Sequence, residues 1–311
     1  MKNFFILAAL IACIALTALY FIIPGNIVID TRTSANVKYP SVLRVLQDST
    51  KWKQWFPGKA AGATTFDYKG RQYAIGNLMY SAVEIGIICN KNQCQSRINI
   101  FPLTGDSSVI EWKVEMSSGN NPFTKIKTYL LARKTDNDIK AILSTLKNFI
   151  QSAKNIYGFD IRRTTLSDAT LVSTKIVLPE YPSTGQVYAL IDELKKYIQS
   201  QKAKEHNYPM LNVTKIKDSG YVVVVGIPTN IPLPANGNIQ PKRLMMIRDK
   251  TLVTEVIGDT SMINKAWQAV SNYMQDYELS APVISFEQLI TDRKQQADST
   301  KWVTRIFCPV I

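Results

Sequence analysis

Three kinds of hydrophobic pattern follow one another along the chain. Residues 4–23 (FFILAALIACIALTALYFII) run without a charge or a proline, and a helix of that length, at about 1.5 Å per residue, spans the roughly 30 Å hydrocarbon core of a bilayer. Pro24-Gly25-Asn26 stops it. A secretory signal has a shorter apolar region and a small-residue cleavage site leading into polar sequence, which is missing here, so residues 4–23 are expected to be an uncleaved membrane anchor. Leu10-Ile11-Ala12-Cys13 matches a lipobox with Cys13 as the lipidated residue; the alternative is a cysteine inside the membrane helix, since the run continues beyond it. Lys2 precedes the run, while Arg32 and Lys38 follow it. An amino terminus on the inner side and an extracytoplasmic (periplasmic) body are expected.

The second regime alternates with period two. Ile27–Thr33 predicts a strand and Val37–Leu46 a short helix, with Val42, Leu43 and Leu46 apolar. Strand-like runs then follow at Thr64–Tyr68, Gln72–Ile75, Met79–Ile88, Gln95–Pro102, Ser107–Met116 and Thr124–Arg133, separated by Gly70, Gly76, Gly105 and Gly119-Asn120. A helix is expected from about Asp136 to Tyr157, where Ile139, Leu143, Leu146, Ile150, Ala153 and Tyr157 recur every three or four residues, with Gly158 as its stop. Cys89 and Cys94 bracket a polar turn and could face each other across a hairpin as a disulfide; two unpaired strand-end thiols are the alternative.

Strand, short helices, antiparallel strands in series and one closing helix make the order of a helix-grip fold. With Asn26-Ile27-Val28-Ile29-Asp30, the helix around Val42–Leu46 and the segment Asp48-x3-Trp52-x2-Trp55-x-Pro57, residues 26–157 resemble the SRPBCC superfamily (START-like, polyketide-cyclase-like). The resemblance implies a hydrophobic cavity between sheet and long helix, and binding more often than catalysis. Trp52 and Trp55, on one side of a helical turn, also fit plain core or rim packing.

The third regime repeats itself. Ala169-Thr170-Leu171-Val172-Ser173-Thr174-Lys175-Ile176 matches Lys250-Thr251-Leu252-Val253-Thr254-Glu255-Val256-Ile257, an offset of 81. Each copy leads to a helix, near 186–201 and 261–277, then to a proline and a strand, Pro209–Thr214 and Pro282–Glu287, and closes on a β-run, Tyr221–Ile227 and Trp302–Val310. Two ββαββ units about a pseudo-two-fold axis are expected. That plan and the ending Asp298-x2-Lys301-Trp302-x-Thr304-x-Ile306-x2-Pro309-Val310 resemble the GyrI-like, or bacterial transcription-activator effector-binding, domain over residues 158–311. The resemblance implies a cleft for hydrophobic, often cationic, small molecules and a glutamate in the second repeat that answers the cation. Glu287 stands at that position, although Leu289 replaces the tyrosine usual two residues later. The chain as a whole is expected to be α+β, with an anchor at 1–25 and two domains at 26–157 and 158–311.

Glu287 has an argument of its own. With period two, Ile284, Phe286, Gln288 and Ile290 would face the core and Glu287 a cleft or solvent. Its mate in the first repeat, counted from the prolines, is Thr214, so one half alone carries an acid. Trp267, Tyr208, Tyr221 and Trp302 are candidate aromatic walls for a ligand, each of them also a plausible core residue.

Composition narrows the chemistry. Lys and Arg outnumber Asp and Glu by 37 to 24, net +13, and the excess lies mostly in residues 24–157, with 18 basic and 9 acidic, against 18 and 15 in residues 158–311. No Lys/Arg run exceeds two, which speaks against a nucleic-acid arm and for attraction to anionic lipid or acidic ligands. His206 is the single histidine, in a polar loop. A histidine-rich metal site is excluded, a catalytic triad is unsupported, and no phosphate-cradling glycine motif occurs, so no metal or cofactor is expected. The function expected is binding of a hydrophobic or cationic amphipathic molecule by a membrane-anchored body. The alternatives are a hydrolase or cyclase using Glu287 as general acid/base, helped by Tyr208 or Tyr221, and a transcription regulator, for which no helix-turn-helix precedes the domain.

Overall fold

The computed structural model describes the backbone of residues 2–89, 92–216 and 220–311, which forms two compact units, Met1–Ser152 and Ala153–Ile311. Both are mixed α+β with curled antiparallel sheets.

The first unit runs α1 (Lys2–Ile22), β1 (Asn26–Ala35), α2 (Tyr39–Gln47), α3 (Ser49–Trp55), β2 (Lys59–Ala60), β3 (Thr65–Tyr68), β4 (Arg71–Leu78), β5 (Ala82–Cys89), β6 (Asn92–Pro102), β7 (Ser108–Ser117) and α4 (Pro122–Ile150). The strands form one seven-stranded sheet in the order β1-β7-β6-β5-β4-β3-β2. Lys69 and Gly70, both at positive φ (49° and 76°), make the tight β3–β4 turn.

One expectation fails here. Residues 124–133 are not a strand but the first part of α4, which is 29 residues long. The alternation Lys125-Ile126-Lys127-Thr128 imitates period two. The helix is nevertheless signalled just upstream, where Asn121 accepts from the Phe123 N–H at 2.9 Å and Pro122 occupies the first turn. Lys125, Ala132, Thr135, Asp138, Ile139, Ile142, Leu143, Leu146 and Ile150 are its buried positions and lie along one face. The helix ends at Ile150, and Ala153–Tyr157 is a separate short helix, α5, of the second unit.

The interior of the first unit is aromatic. Trp52 and Trp55, with ring centres 4.5 Å apart, pack with Phe56, Phe66, Tyr73 and Trp112, all at most 5% exposed. Trp52 also donates to the Leu46 carbonyl at 2.8 Å. Two polar ties hold α4 to the sheet: Thr31 donates to Asp136 at 2.7 Å, and buried Asp138 pairs with Arg71 and, at 3.1 Å, with Lys69.

The apolar residues described along α1, from Phe4 to Ile22, are largely exposed. Among the described residues no helix is long and apolar enough to cross a membrane; several α1 side chains, Cys13 among them, lie outside that set. The same holds for the Cys89 side chain. The ladder pairs Cys89 with Asn92 and Cys94 with Ile87, so the two cysteines are diagonal across the hairpin rather than facing.

The second unit continues with β8 (Arg162–Leu166), β9 (Ala169–Leu178), α6 (Thr184–Ser200), β10 (Met210–Ile216), β11 (Gly220–Thr229), β12 (Gln240–Leu244), β13 (Ile247–Ile257), α7 (Thr260–Asp276), β14 (Phe286–Leu289) and β15 (Val303–Pro309). Gly158, at φ 86°, ends α5 by donating to the Lys154 carbonyl. Ser183 and Gln186 form a capping box on α6, and Asp259 caps α7. The eight-stranded sheet reads β12-β9-β11-β10-β14-β15-β13-β8. The two β-β-α-β-β repeats meet at β10–β14, and each repeat's leading strand crosses to the far half: β8 pairs with β13, and β12 with β9. Two core clusters result, one under α6 and one under α7.

Register at the seam revises the repeat mate of Glu287. Leu211 lies directly opposite Glu287 across the seam, and Thr214, three residues along β10 from Leu211, lies on the other face of the sheet, so it is not the mate of Glu287. A buried leucine on one side still leaves the acid in one half alone.

Candidate functional site

β14 is a short central strand with all four residues buried. The expected phase is reversed: Leu289 belongs to the α6-side core, Glu287 faces the same way, and Phe286 and Gln288 face the opposite side of the sheet. Val283 and Ile284, expected within the strand and for Ile284 in the core, precede it and are exposed. Glu287 is only 6% exposed.

Two groups hold its carboxylate. Trp267 of α7 donates its indole N–H to Oε1 at 2.9 Å, and the Arg293 guanidinium lies 3.8 Å from Oε2. Arg293 comes from the polar loop between β14 and β15, where its backbone N–H donates to the Tyr188 hydroxyl at 2.6 Å. Its Nη2 donates to Thr304 at 2.9 Å, its guanidinium sits 4.8 Å over the Trp302 ring, and its buried Nε has no hydrogen-bond partner among the described residues.

Burial dominates the electrostatics of both partners. It pushes the Glu287 carboxyl above its ordinary range, with Trp267 and Arg293 pulling back only in part. It also lowers Arg293, against the pull of Glu287. The two directions agree: at 3.8 Å, mutual attraction does not repay the lost hydration of either charge. Burial raises Tyr188 and Tyr181 too, and the charge on Glu287 adds to the rise at Tyr181.

Of the expected residues, Glu287, Trp267 and Trp302 are brought together. Tyr221 stands one ring further out, 5.6 Å from Tyr181. Tyr208 is not placed with them; it is half exposed in the loop after α6. Arg293, Tyr188 and Tyr181 were not anticipated. A signal existed for Tyr188, which lies three residues before Ile191 on the buried side of α6. For Arg293, in the polar run Thr291–Asp298, there was none.

Three cavities lie away from this site. One of about 380 Å³ is lined on the opposite side of the sheet by Phe286, Gln288, Phe307, Arg305 and His206. Another of about 650 Å³ lies along β9 and β12 beside Leu171, Leu233 and Arg243. In the first unit, about 640 Å³ is lined by polar strand residues including Glu84, Arg97 and Lys113. None of these is lined by Glu287 or by the Trp52 cluster. Among the described residues no group of His, Cys, Asp and Glu is arranged to hold a metal ion.

No family model matches the chain, and no curated protein matches it. Solved structures with a similar fold include an EcmrR–DNA complex, at 16% identity, TM-score 0.45, 61% of this chain and 72% of that one. A START superfamily protein from Mycobacterium smegmatis, at 12% identity and TM-score 0.29, covers 39% of this chain and 97% of that one. Norcoclaurine synthase from Thalictrum flavum, at 14% identity and TM-score 0.32, covers 40% and 87%. These are likenesses of fold alone.

Proposed function

We propose that the chain is a membrane-anchored small-molecule-binding protein whose second unit takes hydrophobic or cationic amphipathic ligands at Glu287. One observation carries this: an underhydrated Glu287–Arg293 pair, left long at 3.8 Å and walled by Trp267, Trp302 and Tyr188. A ligand cation that reached the carboxylate more closely would displace Arg293, whose guanidinium is the internal competitor. The site is enclosed, so entry requires the 291–298 loop carrying Arg293 to move. Binding is favoured over acid/base catalysis because the described partners of Glu287 are an indole and a guanidinium, neither a proton relay at neutral pH.

The anchor is part of the proposal. It is supported by the apolar run of residues 4–23 and by the exposure of the described α1 side chains, since a helix apolar all round calls for an apolar surrounding. The aromatic filling of the first unit supports a structural role for that unit rather than a second ligand site.

The test is titration of the detergent-solubilised full chain with tetraphenylphosphonium, read by tryptophan fluorescence. Glu287→Gln should weaken binding at least about tenfold, or roughly 1.4 kcal/mol. Unchanged affinity across a panel of lipophilic cations would remove Glu287 from the site.

A further inference from the structure

The first half of α4 has an exposed face that the fold does not use. Phe123, Lys127, Leu130 and Lys134 follow at spacings of four, three and four, which places them in one stripe, with Tyr129 and Arg133 beside it. Phe123 is 66% exposed and Leu130 55%. From Pro122 to Thr135 the helix carries four basic residues, Lys125, Lys127, Arg133 and Lys134, and no acidic one. The first carboxylates beyond, Asp136 and Asp138, are engaged by Thr31, Lys140, Arg71 and Lys69. A solvated helix face carries charges of both signs and few large apolar groups. Aromatic and leucine side chains among lysines and arginine are the make-up of a helix lying in a membrane interface.

The stripe begins where α1 ends. Lys125, buried, donates to the carbonyls of Tyr20 and Ile23 at 2.9 and 3.0 Å, and its ammonium lies 4.1 Å from the Tyr20 ring centre. Those carbonyls lie at the carboxyl end of α1 and just beyond it, the end at which a cation is favoured. Phe21 and Ile22 beside them are exposed. Lys134 is nine residues beyond Lys125, about 14 Å along the helix. Whatever the tilt of α4, the stripe therefore stays within about the headgroup layer plus one screening length of that end.

We propose that the stripe from Phe123 to Lys134 docks on an anionic bilayer surface, with Phe123, Tyr129 and Leu130 at headgroup depth and Lys127, Arg133 and Lys134 on lipid phosphates. This rests on α1 being a membrane anchor. The first unit is then held flat against the membrane by a second contact instead of hanging from a tether.

The experiment uses the full chain in nanodiscs of zwitterionic lipid and of lipid with a substantial anionic fraction. Acylation of individual lysines by a membrane-impermeant reagent is followed by mass spectrometry, with Lys175 and Lys242 of the second unit as references. Relative to these, Lys127 and Lys134 should react about fivefold more slowly or less in the anionic discs, which is what one basic residue gains at such a surface. Phe123→Ser with Leu130→Ser, both exposed sites, should remove most of that protection without unfolding the protein. Equal rates in the two lipids, in a chain that resists alkaline carbonate extraction, would overturn the docking and leave the anchor standing. Release by carbonate would overturn the anchor, and the docking with it.

Discussion

Replacing Arg293 by Met separates the two charges at the centre of the second unit and should produce a destabilisation that depends on pH. In the parent, Glu287 is 6% exposed and its buried counter-charge is 3.8 Å away. Without Arg293 the carboxylate can stay folded inside only by taking up a proton. Against an ordinary value of 4.5, holding it protonated costs about 1.4 kcal/mol per pH unit, hence about 3.4 kcal/mol at pH 7 and about 0.7 at pH 5. The ceiling at pH 7 agrees with the roughly 3–5 kcal/mol typical of breaking a buried pair. The sign follows from the raised carboxyl: above pH 4.5 the folded state binds more protons than the unfolded one, so stability falls as pH rises through the folded value. The contacts of Arg293 with Thr304 and Trp302 are lost as well, but equally at both pH values. For a unit of about 160 residues each kcal/mol moves the melting point by about 2–4 °C. Thermal melts should therefore show the variant falling behind the parent by up to about 5–11 °C more at pH 7 than at pH 5, the parent's own raised Glu287 taking part of the same loss. Adding Glu287→Gln should abolish the pH-dependent part, and tetraphenylphosphonium should raise the melting point of Arg293→Met more than that of the parent. Equal losses at pH 5 and pH 7, or a double variant as pH-sensitive as the single one, would refute the argument.

Three further outcomes follow from the same geometry. Asp138→Asn leaves the Arg71 guanidinium, 10% exposed, without its counter-charge and should cost the first unit about 3–5 kcal/mol in urea unfolding, whereas Lys69→Ala, at a partner 58% exposed, should cost less than about 1. Trp52→Ala should cost about 3–5 kcal/mol by opening a void among Trp55, Phe56 and Phe66, seen as loss of the first unit's thermal transition. A reporter fused after Ile311 should behave as extracytoplasmic, and cytoplasmic behaviour would reverse the proposed orientation.

Much of the architecture was legible in the chain because it was written in patterns that burial on one face enforces. The duplicated strands at 169–176 and 250–257, the helices between them and the antiparallel series of the first unit all showed their period. Two failures have distinct causes. In α4 the alternation of lysine with isoleucine and threonine obeyed period two locally, while the helix was decided by Asn121, Pro122 and a buried face that continues to Ile150. On β14 both faces are covered, so alternation carries no information and the phase inferred from Phe286 and Ile284 was inverted. Glu287 was singled out by the resemblance of the second repeat and by its strand phase, and of these the phase is reversed in the structure. Arg293 was missed because a buried arginine in a polar loop looks, in sequence, like any solvated one; only its approach to Glu287 distinguishes it.

The crossing of the leading strands has a consequence for how the protein is made. β8, the first strand of the second unit to leave the ribosome, has its partner in β13, more than 80 residues later, and β14 must wait for β15 to cover its other edge. A nascent chain that has reached residue 246 thus holds one half of a sheet with β10 unpaired along the future seam. Non-local closure of this kind is slow, and open strand edges invite pairing with other chains. The second unit should therefore acquire protease resistance only after its last strand has been released, which makes the carboxyl-terminal residues up to Pro309 the step that commits the whole sheet.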